Sequence, residues 1–74
     1  MTLLPRISGR DVVAAFSKVG YRLDRQKGSH MVLRQEMAPH RRLTVPDHRE
    51  IAKGIRRAII REAGLTIDEF RELL

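Results

Sequence analysis

The chain of 74 residues contains no cysteine. This absence excludes disulfide bonds, thiolate catalysis and cysteine-ligated zinc, and it is compatible with a reducing compartment. Long apolar runs are absent as well, because the N-terminal stretch MTLLPRIS is too short for a signal peptide and no segment reaches the length of a membrane span. The sequence therefore predicts a soluble, cytoplasmic protein with no membrane partner.

Metal-ligand spacing is also missing. The three histidines, His30, His40 and His48, are never three or four residues apart, and no carboxylate pair accompanies them at ligand-like spacing. The carboxylates of the C-terminal third have the pattern of solvated helix charges. We therefore expect no metal site and no cofactor.

Positive charge is what the chain has in excess. Fifteen Lys and Arg against nine Asp and Glu give a net charge of +6 and a pI of about 11.1. On a chain of 8.5 kDa this excess favours a polyanionic partner, either nucleic acid or an acidic protein. A chain of this length predicts a single domain over residues 1–74 with a thin core, so an open surface site is favoured over a deep pocket.

The hydrophobic periodicity predicts a helix, three strands and two further helices. Ser8 and Asp11 have capping-box spacing at the start of the first helix, which Gly20 ends. The segments YRLDRQ, HMVLRQ and RRLTVP alternate as strands, and their short connections predict antiparallel pairing. Thr66 and Glu69 form a second capping box that opens a short C-terminal helix.

The second helix is predicted to start near Gly54. Its apolar positions are expected to form one stripe: Ile51, Ile55, Ala58, Ile59 and Ala63. Its polar side is expected to carry a basic row, which is either a solvated face or a grip for RNA: Arg56, Arg57 and Arg61.

Together these elements predict an α+β fold of αβββα order, with the helices packed on one face of a three-stranded antiparallel sheet. The opposite face would then be open to solvent. Its expected residues are the polar strand positions Arg22, Asp24, Arg34, Arg42 and Thr44.

The stretch QKGSHMVLR places a histidine at the start of an otherwise apolar strand. Strand alternation puts His30, Val32 and Arg34 on one face and Met31 and Leu33 on the other. Cleavage of RNA by the substrate's own 2′-hydroxyl needs a proton acceptor, a proton donor and cations near the phosphate. Histidine, with an ordinary pKa of about 6.5, can serve in either proton role, so His30 is the best catalytic candidate.

The neighbours of His30 fit the same chemistry. Gly28 and Ser29 form a turn whose backbone N–H groups can approach a phosphate, and Arg34 is a candidate to bind that phosphate. Lys27 is a candidate for the proton role that His30 does not fill. Each has a structural alternative: turn chemistry for Gly28 and Ser29, a solvated strand charge for Arg34, and a plain strand end for His30.

Three blocks of sequence resemble the HicA (YcfA-like) toxin family: GSH at 28–30, TVPDH at 44–48, and GIRRAIIREAGLTIDEF at 54–70. The GY pair at 20–21 fits as well. The resemblance implies an mRNA interferase, that is, an mRNA-cleaving toxin of a toxin–antitoxin pair, with a fold like that of double-stranded-RNA-binding domains. It also implies catalysis by His30 without a metal, single-stranded mRNA as substrate, and a HicB-type antitoxin that covers the active face.

Two other functions remain open from the sequence. A domain of this fold type can bind RNA by shape without cutting it. A basic surface can also serve only an acidic protein partner, in which case RNA binding would be weak and lost at moderate salt.

Overall fold

The computed structural model describes residues 6–74. The elements follow in the order α1 (Gly9–Ser17), β1 (Tyr21–Lys27), β2 (His30–Gln35), β3 (Arg42–Pro46), α2 (Lys53–Glu62) and α3 (Ile67–Glu72). The strands form one antiparallel sheet in the order β1-β2-β3. The predicted αβββα order with a short C-terminal helix is therefore confirmed. Within residues 6–74, no helix has the length and apolarity needed to traverse a bilayer.

Both predicted capping boxes are present. At the start of α1 the Ser8 hydroxyl accepts from the Asp11 N–H at 3.0 Å, and the Asp11 carboxylate accepts from the Ser8 N–H at 3.0 Å. At the start of α3 the same reciprocal pair joins Thr66 and Glu69, at 3.1 and 2.8 Å. Each box satisfies two backbone groups at a helix end, which explains why these two helices begin where the sequence predicts.

The core lies between the helices and one face of the sheet. Phe16 of α1 stacks in tilted geometry with Tyr21 of β1 and with Phe70 of α3, at ring-centroid distances of 5.6 and 5.5 Å. The sheet contributes four buried side chains to the same core: Met31, Leu33, Leu43 and Val45. The faces predicted for β2 are therefore confirmed, with His30 and Arg34 exposed on the side away from the helices.

The predicted apolar stripe of α2 is confirmed at Ile51, Ile59 and Ala63 and wrong at Ile55 and Ala58. Ile59 and Ile60 face the core, whereas Ile55 is 47% exposed and Ala58 is exposed. Ile51 is buried, but it precedes the helix and donates its N–H to the Ile7 carbonyl at 2.8 Å. The predicted start of the helix near Gly54 is confirmed, and Ile60, which the predicted stripe omitted, faces the core where Ala58 does not.

The predicted arginine row of α2 is wrong for one of its three members. Arg56 is only 9% exposed and lies on the core side, three and four residues before Ile59 and Ile60. Arg57 and Arg61 are exposed. The helix thus presents two arginines to solvent rather than three.

Strand β1 contains one extra residue relative to β2. Leu23 pairs with Leu33 and Arg25 pairs with Val32, so Asp24 has no cross-strand partner. This β-bulge reverses the alternation expected for the second half of β1. As a result Arg25 and Lys27 lie on the open face, and Gln26 lies on the helix side opposite Met31.

The start of α1 is packed against the end of β3. The Gly9 N–H donates to the His48 carbonyl at 2.9 Å. A β-carbon at Gly9 would overlap the backbone carbonyl of Pro46 and would lie 3.0 Å from the Met31 methyl. Glycine is therefore required here by close backbone approach.

We predict that Gly9→Ala lowers the free energy of unfolding by about 1–3 kcal/mol, because the overlap is with backbone that cannot rotate away. Urea unfolding followed by circular dichroism measures this change. Gly54→Ala is the matched control, since a β-carbon at Gly54 meets no atom within 4 Å. Alanine at this helix position should be neutral or stabilising by about 1 kcal/mol. Equal unfolding midpoints for the two variants would contradict the packing described.

Candidate functional site

The hairpin loop between β1 and β2 consists of two residues, Gly28 and Ser29, and it joins the cross-strand pair Lys27 and His30. Gly28 has a φ of 60°, the positive value that a type II′ turn requires at its first loop position. The backbone N–H groups of Gly28 and Ser29 donate no hydrogen bond within residues 6–74. The loop therefore presents two free donors next to His30.

His30 occupies the first position of β2, between Lys27 on one neighbouring strand and Pro46 on the other. Its side chain is exposed and makes no hydrogen bond to another of the described residues. The imidazole is thus accessible to a ligand that lies on the open face. Lys27, directly opposite, has its β-carbon within about 4.5–5.5 Å of that of His30, because cross-strand partners share a face.

The open face of the sheet is arranged in three rows across the strands. Each row contains one residue from each strand, and the rows read Lys27, His30, Pro46; then Arg25, Val32, Thr44; then Arg22, Arg34, Arg42. Neighbouring rows are about 7 Å apart along β2. We call the third of these the arginine row. It lies at the end of the sheet opposite His30, about 13 Å away between Cα atoms.

Lys and Arg dominate the charge of the paired positions on this face. The paired positions include five Lys or Arg side chains and no carboxylate. Among residues 6–74, Arg22 is the only one of the five that forms a salt bridge, with Glu36 at 3.2 Å. Both side chains of this pair are exposed to solvent. An exposed pair of this kind adds little to the stability of the fold. The paired positions of the face therefore carry an excess of positive charge, while the exposed Asp24 and Glu36 carboxylates lie near Arg22.

A carboxylate on the helix side holds the hairpin loop in place. The Asp47 N–H donates to the Ser29 carbonyl at 2.7 Å. The Gln26 amide donates to the Asp47 carboxylate at 2.9 Å and to the Gly28 carbonyl at 3.1 Å. Arg10 of α1 reaches the same carboxylate at 3.3 Å. The loop that precedes His30 is thus joined to β3 and to α1.

The same contacts keep Asp47 ionised. The hydrogen bond from Gln26, followed by that from Arg10, lowers the pKa of the Asp47 carboxyl below its ordinary value of 3.8. Asp47 is therefore a carboxylate throughout the neutral range. It therefore has no proton to donate to a substrate there, and the lowered pKa makes it a weak proton acceptor, so its contacts give it a positional role.

The structure brings together most of the site residues predicted from sequence, but not all of them. Lys27, Gly28, Ser29 and His30 are consecutive around the hairpin loop. Arg34 shares the face of His30 but lies two rows away.

The two other histidines lie apart from the His30 side chain. His40 lies beyond the opposite end of β2, where its Nδ1 is 3.1 Å from the Gln35 carbonyl oxygen. His48 is exposed and follows Asp47. Among residues 6–74, no three His, Asp or Glu side chains are grouped so that they could hold a metal ion.

Sequence reasoning missed Arg25, Gln26 and Asp47. For Arg25 a signal exists: a two-residue loop pairs Lys27 with His30, so both must lie on the open face. Tyr21 is six residues before Lys27, and strict alternation would place it on that face too, although Tyr21 is buried. One residue of β1 therefore has to be extra. For the contact between Gln26 and Asp47, 21 residues apart, the sequence contains no comparable signal.

Comparison with known proteins identifies the family. The sequence model described as the HicA toxin of bacterial toxin–antitoxin matches residues 9–65, well over half of the chain. The chain belongs to the HicA toxin family. This HicA chain is thus the toxin of a toxin–antitoxin pair, and an antitoxin is its partner. A search of curated proteins gave no match.

We predict that Asp47 stabilises the HicA fold at neutral pH and ceases to do so in acid. Because the folded-state pKa is lowered, the stabilisation is complete above the unfolded value of 3.8 and is lost as the pH falls through the folded value. Wild type should therefore exceed Asp47→Asn in urea midpoint at about pH 6, and the difference should shrink toward about pH 3. Comparing the two proteins cancels the titration of the other groups.

Gln26→Met serves as the companion variant, since it keeps the length of the side chain and removes the amide donor. Loss of part of the same stabilisation at neutral pH is expected. A difference between wild type and Asp47→Asn that is constant from neutral to acid pH would contradict the assignment of these contacts.

Proposed function

We propose that this HicA toxin is a metal-independent endoribonuclease that cleaves mRNA, with His30 as general acid or base. The observation that supports the proposal most is the exposed, unpartnered imidazole of His30 beside Lys27, on a face whose paired positions include no carboxylate. A basic face attracts the RNA backbone, and an imidazole on that face can transfer protons near neutral pH.

The reaction proposed is transfer of the phosphoryl group to the substrate's own 2′-hydroxyl. The 2′-oxygen loses its proton and forms a bond to the adjacent phosphorus, while the bond from phosphorus to the 5′-oxygen of the next nucleotide breaks. The leaving 5′-oxygen gains a proton. The products are a 2′,3′-cyclic phosphate and a 5′-hydroxyl, so no water, metal ion or cofactor enters this step.

Each residue around the hairpin loop has a role in this scheme. His30 accepts the proton of the 2′-hydroxyl or donates one to the leaving oxygen, and Lys27 is the candidate for the other of these two proton roles. The Lys27 ammonium, on the adjacent strand, stabilises the charge that develops on the phosphate, as do the free N–H groups of Gly28 and Ser29. Asp47 and Gln26 fix the loop that carries these donors.

The way this face can hold RNA follows from where the aromatic side chains are. The chain has three, Phe16, Tyr21 and Phe70, and all are buried. Bases of single-stranded RNA therefore cannot stack on a Phe, Tyr or Trp ring of this surface, and the flat groups exposed there are the His30 imidazole and the arginine guanidinium groups. Binding then depends chiefly on the phosphates, and its affinity should fall steeply with salt.

The antitoxin proposed for this toxin is of the HicB type and binds over the open face. Such a partner would need acidic side chains to match the five Lys and Arg in the paired positions of this face. Covering His30 and Lys27 would exclude RNA from them, so the antitoxin would inhibit cleavage by occluding the site.

A second candidate function is RNA binding without cleavage. The open basic face favours it, since phosphate contacts alone would hold RNA even if His30 were only the first residue of a strand. The two functions predict different effects when the His30 imidazole is removed. Binding that is spread over many Lys and Arg side chains would change little, whereas cleavage would be lost.

We predict that His30→Ala lowers the rate of RNA cleavage by about 10²–10⁴-fold, the usual contribution of a positioned acid or base. The measurement is incubation of purified protein with single-stranded RNA in EDTA, followed by separation of the fragments. His40→Asn is the control, because it removes an imidazole at the far end of β2 and asparagine tolerates the positive φ of 56° found there. This control should cleave like wild type.

Binding of the same RNA is measured in parallel. Similar affinities for His30→Ala and wild type, with cleavage by wild type alone, support the proposal. Intact RNA with every protein, together with tight binding, would reject catalysis and leave the RNA-binding function.

A further inference from the structure

The arginine row consists of three cations placed directly opposite one another. Arg22 pairs with Arg34 across β1 and β2, and Arg34 pairs with Arg42 across β2 and β3. Like charges in directly opposed positions destabilise a sheet. Arg34 and Arg42 have no salt-bridge partner within residues 6–74, and Glu36 reaches only Arg22. A cluster arranged in this way becomes favourable when an anion lies across it.

The position of the row relative to His30 determines what that anion can be. Arg34 is four residues from His30 on one strand, so the row lies two rows of about 7 Å from the hairpin loop. That row spacing is close to the distance between successive phosphates of an extended RNA strand. A strand whose cleaved phosphate lies at His30 would place the phosphate two nucleotides away over the arginine row.

The middle row connects these two ends. Arg25 contributes one cation, Thr44 a hydroxyl and Val32 a half-buried apolar surface. These groups suit the phosphate and sugar between the two ends, and none of them repels an anion. The three rows therefore follow one another along β2, and each row spans the width of the sheet.

We propose that the arginine row is a remote phosphate-binding subsite, which holds the RNA strand two nucleotides from the cleaved bond on one side only. The proposal rests on the RNA-cleaving function proposed above and adds a substrate requirement to it. Cleavage should depend on the length of RNA on one side of the cleaved bond and not on the other. Short RNAs that end before the row should be poor substrates.

The test compares Arg34→Ala with Arg57→Ala, which removes the same charge from an exposed position of α2. RNAs are shortened one nucleotide at a time from either the 5′ or the 3′ side of a mapped cleavage site. For long RNA, Arg34→Ala should lower kcat/KM about tenfold, the effect of losing a charged hydrogen bond to phosphate. For RNA that ends before the row, Arg34→Ala and wild type should be equal. Arg57→Ala should match wild type throughout.

Affinity for the same RNAs is measured with each protein, so that the two proposals fail separately. If no protein cleaves, RNAs shortened from either end are used, and a loss of affinity by Arg34→Ala on long RNA alone upholds the subsite. Equal effects of Arg34→Ala and Arg57→Ala at every length would overturn the subsite while leaving cleavage by His30 intact. A loss of affinity by Arg34→Ala that is the same for short and long RNA would also overturn the proposed subsite.

Discussion

The composition of the open face depends on the single unpaired residue in β1. With Asp24 inserted, Arg25 and Lys27 stand beside Val32 and His30. In an unbroken ladder that keeps Leu23 opposite Leu33, Asp24 and Gln26 would take those two positions, and Arg25 would point toward the helices. The bulge thus removes a carboxylate from the paired positions of the face and places a lysine opposite His30. Bulges are known to redirect side chains in this way near functional sites.

The helix side of the sheet supports the face that carries the chemistry. Gly9 allows α1 to approach the end of β3, and Asp47, which follows that end, joins Arg10 to Gln26 and to the hairpin loop. The pKa of Asp47 is lowered by these contacts, so the connection is present at every pH near neutral. A thin core can thereby hold an exposed histidine in position, because the loop before it is fixed by polar contacts rather than by burial.

Much of the fold could be predicted from the sequence because its signals are local. Capping boxes at Ser8 and Thr66 and the alternation of β2 depend on residues close in the chain, and the structure confirms them. The α2 stripe was predicted correctly at Ile59 and Ala63 but not at Ile55 and Ala58. Periodicity alone did not show that Arg56 and Ile60 pack against the core. The hairpin part of the candidate site could be predicted, whereas the bulge and the Asp47 contacts depend on how distant segments meet. The catalytic role of His30 stays a prediction.

The central claim is that the 2′-hydroxyl of the RNA is the nucleophile and that His30 transfers a proton in the reaction. The most direct measurement uses an RNA in which a single 2′-deoxynucleotide replaces the nucleotide whose 2′-hydroxyl would attack at the mapped cleavage site. The account predicts that wild-type protein binds this RNA as before and does not cut it there, while the unmodified RNA yields a 2′,3′-cyclic phosphate at that site. Cleavage of the deoxy-substituted bond at an unchanged rate would show that the 2′-hydroxyl is not the nucleophile, and would contradict the account.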